Sequence, residues 1–340
     1  MNKRALITGI TGQDGSYLAE YLLKLGYDVW GVIRRSSNAR GLQFIETITD
    51  GKAHLRYGDM TDPASLTRIL KECTPDEVYN LAAQSHVKIS FDIPEYTSDV
   101  NATGTLKLLE AVRDIVPAAR FYQASTSELF GSSPPPQDEN SPMHPRSPYG
   151  VAKLSAYWSV INMRESYRLF ACNGILFNHE SERRGENFVT RKVTKAAVRI
   201  KLGKQDCLML GNLDSERDWG YADDYIKAMH LMLQAPIPAD YVIATGETHS
   251  IRDLVRLAFE AAGLSVRSNG ESGLRETYVR GDTGAVVVSI DPRFYRPAEV
   301  DKLCGNAAKA HRELGWRPAV DFAHLVKLMV AYDLKEETER

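Results

Sequence analysis

A chain of 340 residues has room for one large α/β domain or two lobes, and 42 Lys and Arg against 44 Asp and Glu ask for neither nucleic acid nor an anionic membrane as partner. Its four cysteines, Cys73, Cys172, Cys207 and Cys304, are widely spaced without a Cys-x-x-Cys pair. That argues against a metal site or a disulfide framework and fits a reducing compartment. No stretch approaches the roughly 18 apolar residues of a membrane helix. The basic start Met-Asn-Lys-Arg runs into apolar residues broken at Gly9 and Gly12, which reads as a first strand and not a signal peptide. A soluble, cytoplasmic protein is expected.

Strands and helices alternate from the start. Strands are expected at Arg4–Thr8, Asp28–Ile33, Leu55–Tyr57, Glu77–Ala83, Arg120–Ala124 and Cys172–Phe177. Helices fall between them at Ser16–Leu25, Pro63–Glu72 and Thr97–Val116, with Asp62 and Pro63 suited to a helix start and Pro117 to a stop. A loop rich in Pro and Ser, 132–148, leads into a helix at Tyr149. This order predicts an α/β fold with a Rossmann-type doubly wound parallel sheet. Beyond residue 180 the pattern is mixed. Phe188–Leu202, Asp223–Gln234 and Ile251–Ala262 have helical spacing, and 264–289 reads as a loop-rich insertion or irregular hairpin. The tail carries Leu-Gly-Trp-Arg-Pro at 314–318 and a final amphipathic helix. The expected division is a cofactor-binding domain over 1–180, with parts of 210–245 returning to it. A smaller mixed α/β lobe over 181–340 would then hold the substrate.

Glycines at 9, 12 and 15 sit between a strand and a helix, spaced Gly-x-x-Gly-x-x-Gly. Such glycines let backbone N–H groups approach a pyrophosphate at a helix N-terminus, although an ordinary strand–helix turn has the same look. The second strand ends in Arg34-Arg35-Ser36-Ser37 without the acid that would hold an NAD ribose. Two guanidiniums and two hydroxyls suit a 2′-phosphate, so NADP is expected; a solvated basic loop is the alternative. Asp59 could accept from adenine or cap its own turn.

Tyr149 and Lys153 lie four apart on one helix, hence on one face. An ammonium nearby stabilises a phenolate, which makes such a tyrosine a base near neutral pH. Thr126-Ser127-Glu128 follows the fifth strand at the carboxyl edge. A hydroxyl there can orient a sugar hydroxyl. A carboxylate there supplies acid/base chemistry that simple alcohol oxidation does not need, unless Glu128 caps the loop or pairs with an arginine.

Several longer segments carry a family resemblance: Gly-Ile-Thr-Gly-Gln-Asp-Gly-Ser-Tyr-Leu (9–18), Val-Tyr-Asn-Leu-Ala-Ala-Gln-Ser-His (78–86) and Gln-Ala-Ser-Thr-Ser-Glu (123–128). Pro-Arg-Ser-Pro-Tyr-Gly-Val-Ala-Lys (145–153), Gly-Ile-Leu-Phe-Asn-His-Glu-Ser (174–181), Phe-Val-Thr-Arg-Lys (188–192), Arg-Asp-Trp-Gly (217–220) and Arg-Pro-Ala-Glu-Val-Asp (296–301) extend it over nearly the whole chain. The chain resembles the extended short-chain dehydrogenase/reductases, and within them the GDP-mannose 4,6-dehydratase family. Phe-Asn-His-Glu-Ser and Arg-Pro-Ala-Glu-Val-Asp are the more specific segments.

The resemblance implies a lyase that turns GDP-mannose into GDP-4-dehydro-6-deoxy-mannose and water. Tyr149 takes the C4 hydroxyl proton as the C4 hydride passes to NADP⁺, Lys153 lowers the tyrosine pKa and holds the nicotinamide ribose, and Thr126 bonds the C4 oxygen. Glu128 removes the C5 proton and helps the C6 hydroxyl leave, after which the hydride returns to C6. It also implies NADP contacts from Gly9, Ile10, Thr11, Gly12, Gln13, Asp14 and Gly15, from Arg34, Arg35 and Ser36, and from Asp59 and Met60. Further contacts come from Leu81, Ala82, Ala83, Gln84, Ser85, Tyr96, His179 and Arg184. A lone His is commonly a core residue, and Leu81-Ala-Ala is also an ordinary strand end. For the GDP moiety, Lys192, Arg217 and Arg296 suit the diphosphate and Glu299 the guanine edge, with Asn178 and Ser85 near the sugar.

The resemblance implies a homo-oligomer, and a homodimer or homotetramer is expected here. The departure is at Asn38-Ala-Arg-Gly-Leu-Gln-Phe44, a shorter loop where many members reach a neighbouring subunit's cofactor; Arg40 is the candidate replacement arginine. Rival readings are a dehydratase for a modified GDP-mannose such as a GDP-heptose, an epimerase or 4-ketoreductase, which needs no Glu128, and a catalytically idle NADP-binding protein. Dehydratases of thymidine sugars usually carry Asp-Glu after the Thr, where this chain has Ser-Glu.

Overall fold

The computed structural model describes residues 2–35, 39–295, 298 and 300–339, with Ala39 and Arg40 as backbone alone. Seven parallel strands form one sheet. From one edge they run Tyr241–Ile243, Ala171–Leu176, Arg120–Ala124, Glu77–Asn80, Arg4–Thr8, Asp28–Ile33 and His54–Tyr57. The central strands are buried on both faces, and the polar residues they bury include Glu77, Asn80, Gln123 and Asn173. On one face, helices Gln13–Lys24 and Ala222–Gln234 pack Leu18 and Leu22 with Ile226, Met229 and Leu233. On the other, Pro63–Cys73 and Gly104–Ile115 pack Leu66, Ile69, Leu108 and Val112 with Val160 and Met163 of the long helix Pro148–Tyr167.

A second core lies beyond the sheet. Helices Val189–Lys201, Ile251–Ala261 and Phe322–Glu339 enclose Val193, Ala197, Trp219, Leu254, Phe259, Phe322 and Met329. The helix Phe322–Glu339 grips Val189–Lys201 through ion pairs, a buried one from Arg191 to Asp333 at 2.8 Å and partly buried ones from Lys195 to Glu336 at 3.0 Å and from Arg199 to Glu337 at 2.8 Å. Breaking such a pair strands a buried charge. The anchored helix also carries Lys192, which faces the cleft.

Three sequence readings change. The sheet has a seventh strand, Tyr241–Ile243, paired parallel to Ala171–Leu176. The segment expected as a loop-rich insertion or an irregular hairpin takes the hairpin form and extends it: Val266–Ser268, Thr277–Arg280 and Val286–Ile290 form an antiparallel meander, with a register shift at Tyr278/Val279, that joins Leu208–Leu210 in a four-stranded sheet. The segment compared with a family loop holds a helix, Ala39–Ile48. Two boundaries also move. The fourth strand stops at Asn80, because the Leu81 and Ala82 amides turn to donate to Thr8 Oγ1 at 3.1 Å each. The helix expected at Thr97 begins at Pro94 and contains a π turn, Asp99–Thr103. That turn presents Asn101, whose amide holds both backbone groups of Gln84 at 2.9 Å. No helix among the described residues is long and apolar enough to cross a membrane.

Candidate active site

The strand order reverses between Arg4–Thr8 and Glu77–Asn80, the switch point where ligands enter such sheets. Gly9 leaves the first strand at φ +72°, and a Cβ there would lie 2.9 Å from the Ala82 nitrogen. The two loops therefore touch at a position only glycine fits. Gly15 has a different reason: its Cβ would stand 2.3 Å from the Gly9 carbonyl, so it lets the helix close onto the turn. The Gly12 carbonyl accepts from Ser16 N–H at 3.0 Å, so helix Gln13–Lys24 opens with its positive end at the switch point, which suits a pyrophosphate.

Asp14, in the first turn of that helix, accepts from His179 Nε2 at 2.8 Å. The other ring nitrogen, Nδ1, lies 2.8 Å from the Phe177 carbonyl. Carbonyl and carboxylate oxygens only accept, so this geometry favours a ring with hydrogen on both nitrogens, the imidazolium. Burial opposes both charges. The pair nonetheless holds Asp14 down at about 2 and raises His179 above its ordinary value. The ring also stacks on Tyr225, with centroids 4.6 Å apart.

The four candidate catalytic side chains meet at the carboxyl edge. Thr126 is extended, and its Oγ1 accepts from Glu128 N–H at 3.2 Å, capping the short turn Ser127–Leu129. Helix Pro148–Tyr167 starts on Pro148, with Ser147 Oγ accepting from Gly150 N–H at 3.0 Å. A Cβ on Gly150 would lie 2.9 Å from the Glu128 carbonyl, so the Tyr149 turn is pressed onto the Glu128 turn. Tyr149, Lys153, Thr126 and Glu128 are all buried. Lys153 donates to the Ala124 carbonyl at 2.8 Å, and its ammonium lies 5.9 Å from the Tyr149 ring centroid. Burial pulls the Lys153 ammonium down to about 8, against the pull of Asp14. Burial pushes the Tyr149 phenol up to about 12, helped by Glu128 and Asp14 and opposed by Thr126 and Arg184. Further positive charge beside the phenol would favour the phenolate.

These four side chains line a cavity of about 700 Å³ with Asp14, Leu81, Ala83, Ser85, Asn178, His179, Arg184, Lys192 and Arg217. Arg184 pairs with Glu180 at 3.0 Å and covers the Phe188 ring. Lys192 donates to the Met209 carbonyl at 2.6 Å, and the buried Arg217 donates to the Glu216 carbonyl at 2.9 Å. Other expected residues stand elsewhere. Arg34 donates to the Tyr96 hydroxyl at 2.8 Å at the end of the second strand, and Arg35 is exposed beside it. Asp59 Oδ1 accepts from both the amide and the hydroxyl of Thr61, at 2.9 and 2.8 Å, so it caps its own turn. Met60 is buried under Gly104, and Gln84 folds back onto the His86 backbone. Ser36, Asn38, Arg296 and Glu299 lie outside the described residues, as does the side chain of Arg40.

The family model described as GDP-mannose 4,6 dehydratase matches residues 6–329. The chain belongs to the GDP-mannose 4,6-dehydratase family. It is 54% identical to GDP-mannose 4,6 dehydratase of Drosophila melanogaster, covering 98% of this chain and 87% of that one. It is 53% identical to that of Homo sapiens, covering 97% and 91%. Among solved structures it resembles the Thermus thermophilus UDP-glucose 4-epimerase in complex with NAD. The TM-score there is 0.81 at 26% identity, over 97% of this chain and 98% of that one. A nicotinamide cofactor therefore belongs to this fold, and the glycine turn against Ala82 with the helix start behind it fits one.

In this dehydratase-family chain, sequence reasoning gave no site role to Val87, Lys88, Asn212 and Phe294 of the cavity wall, and noted Phe188 and Trp219 only within family segments. All six lie in loops, turns or very short strands, which give no periodic signal.

The Asp14–His179 pair predicts a pH-dependent stability. His179 is raised, so its share is fully present below about 6.5 and is lost as pH climbs through its folded value. Asp14 is depressed, so its share is present above 3.8 and is lost as pH falls towards 2. Without cofactor, the Tm gap between wild type and His179→Gln should be widest between about pH 4 and 6.5 and narrow at higher pH. Melting curves whose gap stays constant across that range would contradict the pairing.

Proposed function

We propose that the protein dehydrates GDP-mannose to GDP-4-dehydro-6-deoxy-mannose, with NADP as its cofactor. The observation that carries this is the buried Glu128 turn pressed against Tyr149 in one cavity. Expelling hydroxide from an unactivated C6 is hard, whereas a ketone at C4 acidifies the C5 proton. A site that pairs an alcohol-oxidising tyrosine with a carboxylate has the parts for both steps.

Bound NADP supplies the hydride acceptor for C4 and the donor that later reduces C6. The chain supplies the proton chemistry. Tyr149 removes the C4 hydroxyl proton, and its phenolate is favoured by the Thr126 hydroxyl and by Arg184, with the Lys153 ammonium 5.9 Å from its ring centroid as a further positive charge. Lys153 is itself oriented by the Ala124 carbonyl. Thr126 also holds the C4 oxygen. Glu128 takes the C5 proton and delivers a proton to the departing C6 hydroxyl, so water leaves without free hydroxide. Tyr149 then returns a proton to C5. His179, pinned by Asp14, and Arg184 border the cofactor. Ser85, Asn178, Lys192 and Arg217 contact the GDP-sugar, joined by Arg296 and Glu299.

Incubation of the protein with GDP-mannose and NADP⁺, followed by mass spectrometry, tests the reading. Loss of one water without accumulating NADPH is expected. Inertness towards GDP-mannose with turnover of another nucleotide sugar would displace the substrate.

NADP over NAD is supported by Arg34 and Arg35 at the end of the second strand, with Tyr96 holding the Arg34 guanidinium. A bidentate guanidinium–phosphate contact contributes about 1.5–3 kcal/mol. The double variant Arg34→Ala/Arg35→Ala should therefore bind NADP about 100-fold more weakly and leave NAD affinity nearly unchanged. Equal losses for both cofactors in equilibrium dialysis would refute the assignment.

The chain divides into a cofactor domain over 1–180 and a GDP-sugar lobe over 181–340. Support for a return of 210–245 to the first domain comes from helix Ala222–Gln234 and strand Tyr241–Ile243, which complete the main sheet. A homodimer or homotetramer is supported by exposed Leu106, Val151, Trp158 and Tyr167 on the helices beside the catalytic turn. The cytoplasm is the proposed compartment, where nucleotide sugars and NADP are at hand.

A further inference from the structure

One side chain crosses the cleft without a part in the steps above. Lys88 lies beyond the loop that follows strand Glu77–Asn80. Its ammonium donates to the Arg293 carbonyl, on the short turn Pro292–Phe294 of the opposite part. The same ammonium stands 5.6 Å from the Phe294 ring centroid, and the Lys192 ammonium stands 3.5 Å from it. All three side chains line the catalytic cavity.

An ammonium has three N–H donors. Lys88 gives one to the Arg293 carbonyl and Lys192 one to the Met209 carbonyl, so both keep donors for a ligand. Of the carboxylates at this end, Asp291 is gripped by Arg293 at 3.0 and 2.6 Å, and Glu186, which also lines the cavity, accepts from Lys195 at 2.5 Å. Two further positive charges therefore face one end of the cavity. Burial draws the Lys192 ammonium down, and Lys88 adds to that effect against Asp291. Like charges brought this near favour an anion that touches both.

We propose that Lys88 is a substrate-binding residue. With Lys192 across the Phe294 ring it forms a two-ammonium clamp for the diphosphate of a nucleoside diphosphate sugar. Its bond to the Arg293 carbonyl draws the two walls of the cleft together around that group. This rests on the GDP-sugar reading above.

The test is calorimetric titration of GDP and GMP into wild type, Lys88→Met and Lys88→Gln, all with NADP bound, beside steady-state kinetics. Both variants should weaken GDP by about tenfold, and GMP by less, since one charged hydrogen bond is lost. KM for GDP-mannose should rise in step, with kcat within about twofold of wild type, as for uniform binding. Glutamine keeps an N–H for the Arg293 carbonyl but no charge. A Lys88→Gln protein that binds GDP like wild type would reduce Lys88 to a neutral strap and overturn the clamp, as would a Lys88→Met protein of unchanged affinity. Lys88-dependent GDP binding in a protein inert towards GDP-mannose would keep the clamp and fail the dehydratase reading. Normal turnover with Lys88-independent binding would fail the clamp alone.

Discussion

Replacing Glu128 with glutamine should slow water loss from GDP-mannose by about a thousandfold, the usual scale for a lost general acid/base. The substitution is nearly isosteric. It leaves the backbone of the Ser127–Leu129 turn, with its Thr126 cap and its contact to Gly150, unchanged. Fold and NADP affinity should therefore survive. What disappears is a group able to take the C5 proton and pass one to the C6 oxygen. The variant should still oxidise C4, so reduced-nicotinamide absorbance should appear on the enzyme when GDP-mannose is added. Solvent deuterium should not enter C5. A variant that dehydrates at the wild-type rate would remove Glu128 from the mechanism.

Tyr149→Phe should lose as much, about a thousandfold or more, but at an earlier step. Burial pushes the phenol up to about 12, so its ionisation depends on the Thr126 hydroxyl, on Arg184 and on any further positive charge brought beside it. Phenylalanine fills the same space and keeps the helix start on Ser147. It cannot accept the C4 hydroxyl proton. No reduced nicotinamide should form, and no deuterium should enter C5, because no ketone acidifies it. The two variants thus stop on opposite sides of the oxidation. Identical spectra from both would argue against separate roles for the two groups.

The catalytic four were legible in the sequence because each sits where a strand ends or a helix begins. Thr126 and Glu128 follow Arg120–Ala124, and Tyr149 and Lys153 occupy the first turns after Ser147-Pro148. Six of the seven sheet strands were legible for a related reason: short β-prone segments alternate with helical spacing and are bounded by Gly, Pro or Asp. Tyr241–Ile243 is apolar but only three residues long, too short to stand out as a strand. The amphipathic spacing of Leu42, Ile45 and Ile48 was visible, but comparison with a family loop hid the helix Ala39–Ile48. Pairings across the fold were not legible. Asp14 and His179 are 165 positions apart, and Lys88 and Arg293 are 205 apart. Each residue could be noted alone, but only the folded chain shows that one side chain sets the charge or position of the other. The second part resists reading for the same reason, since Glu216–Arg217 finds its parallel partner at Lys302–Leu303.

The central claim is that oxidation at C4 and reduction at C6 occur on one sugar within one cavity. GDP-mannose carrying deuterium at C4 tests it most directly. In the presence of unlabelled NADP⁺, the deuterium should be recovered at C6 of the 4-dehydro-6-deoxy product, in the same molecule. Deuterium found in the free NADPH pool, lost to solvent, or still at C4 of the product would contradict it.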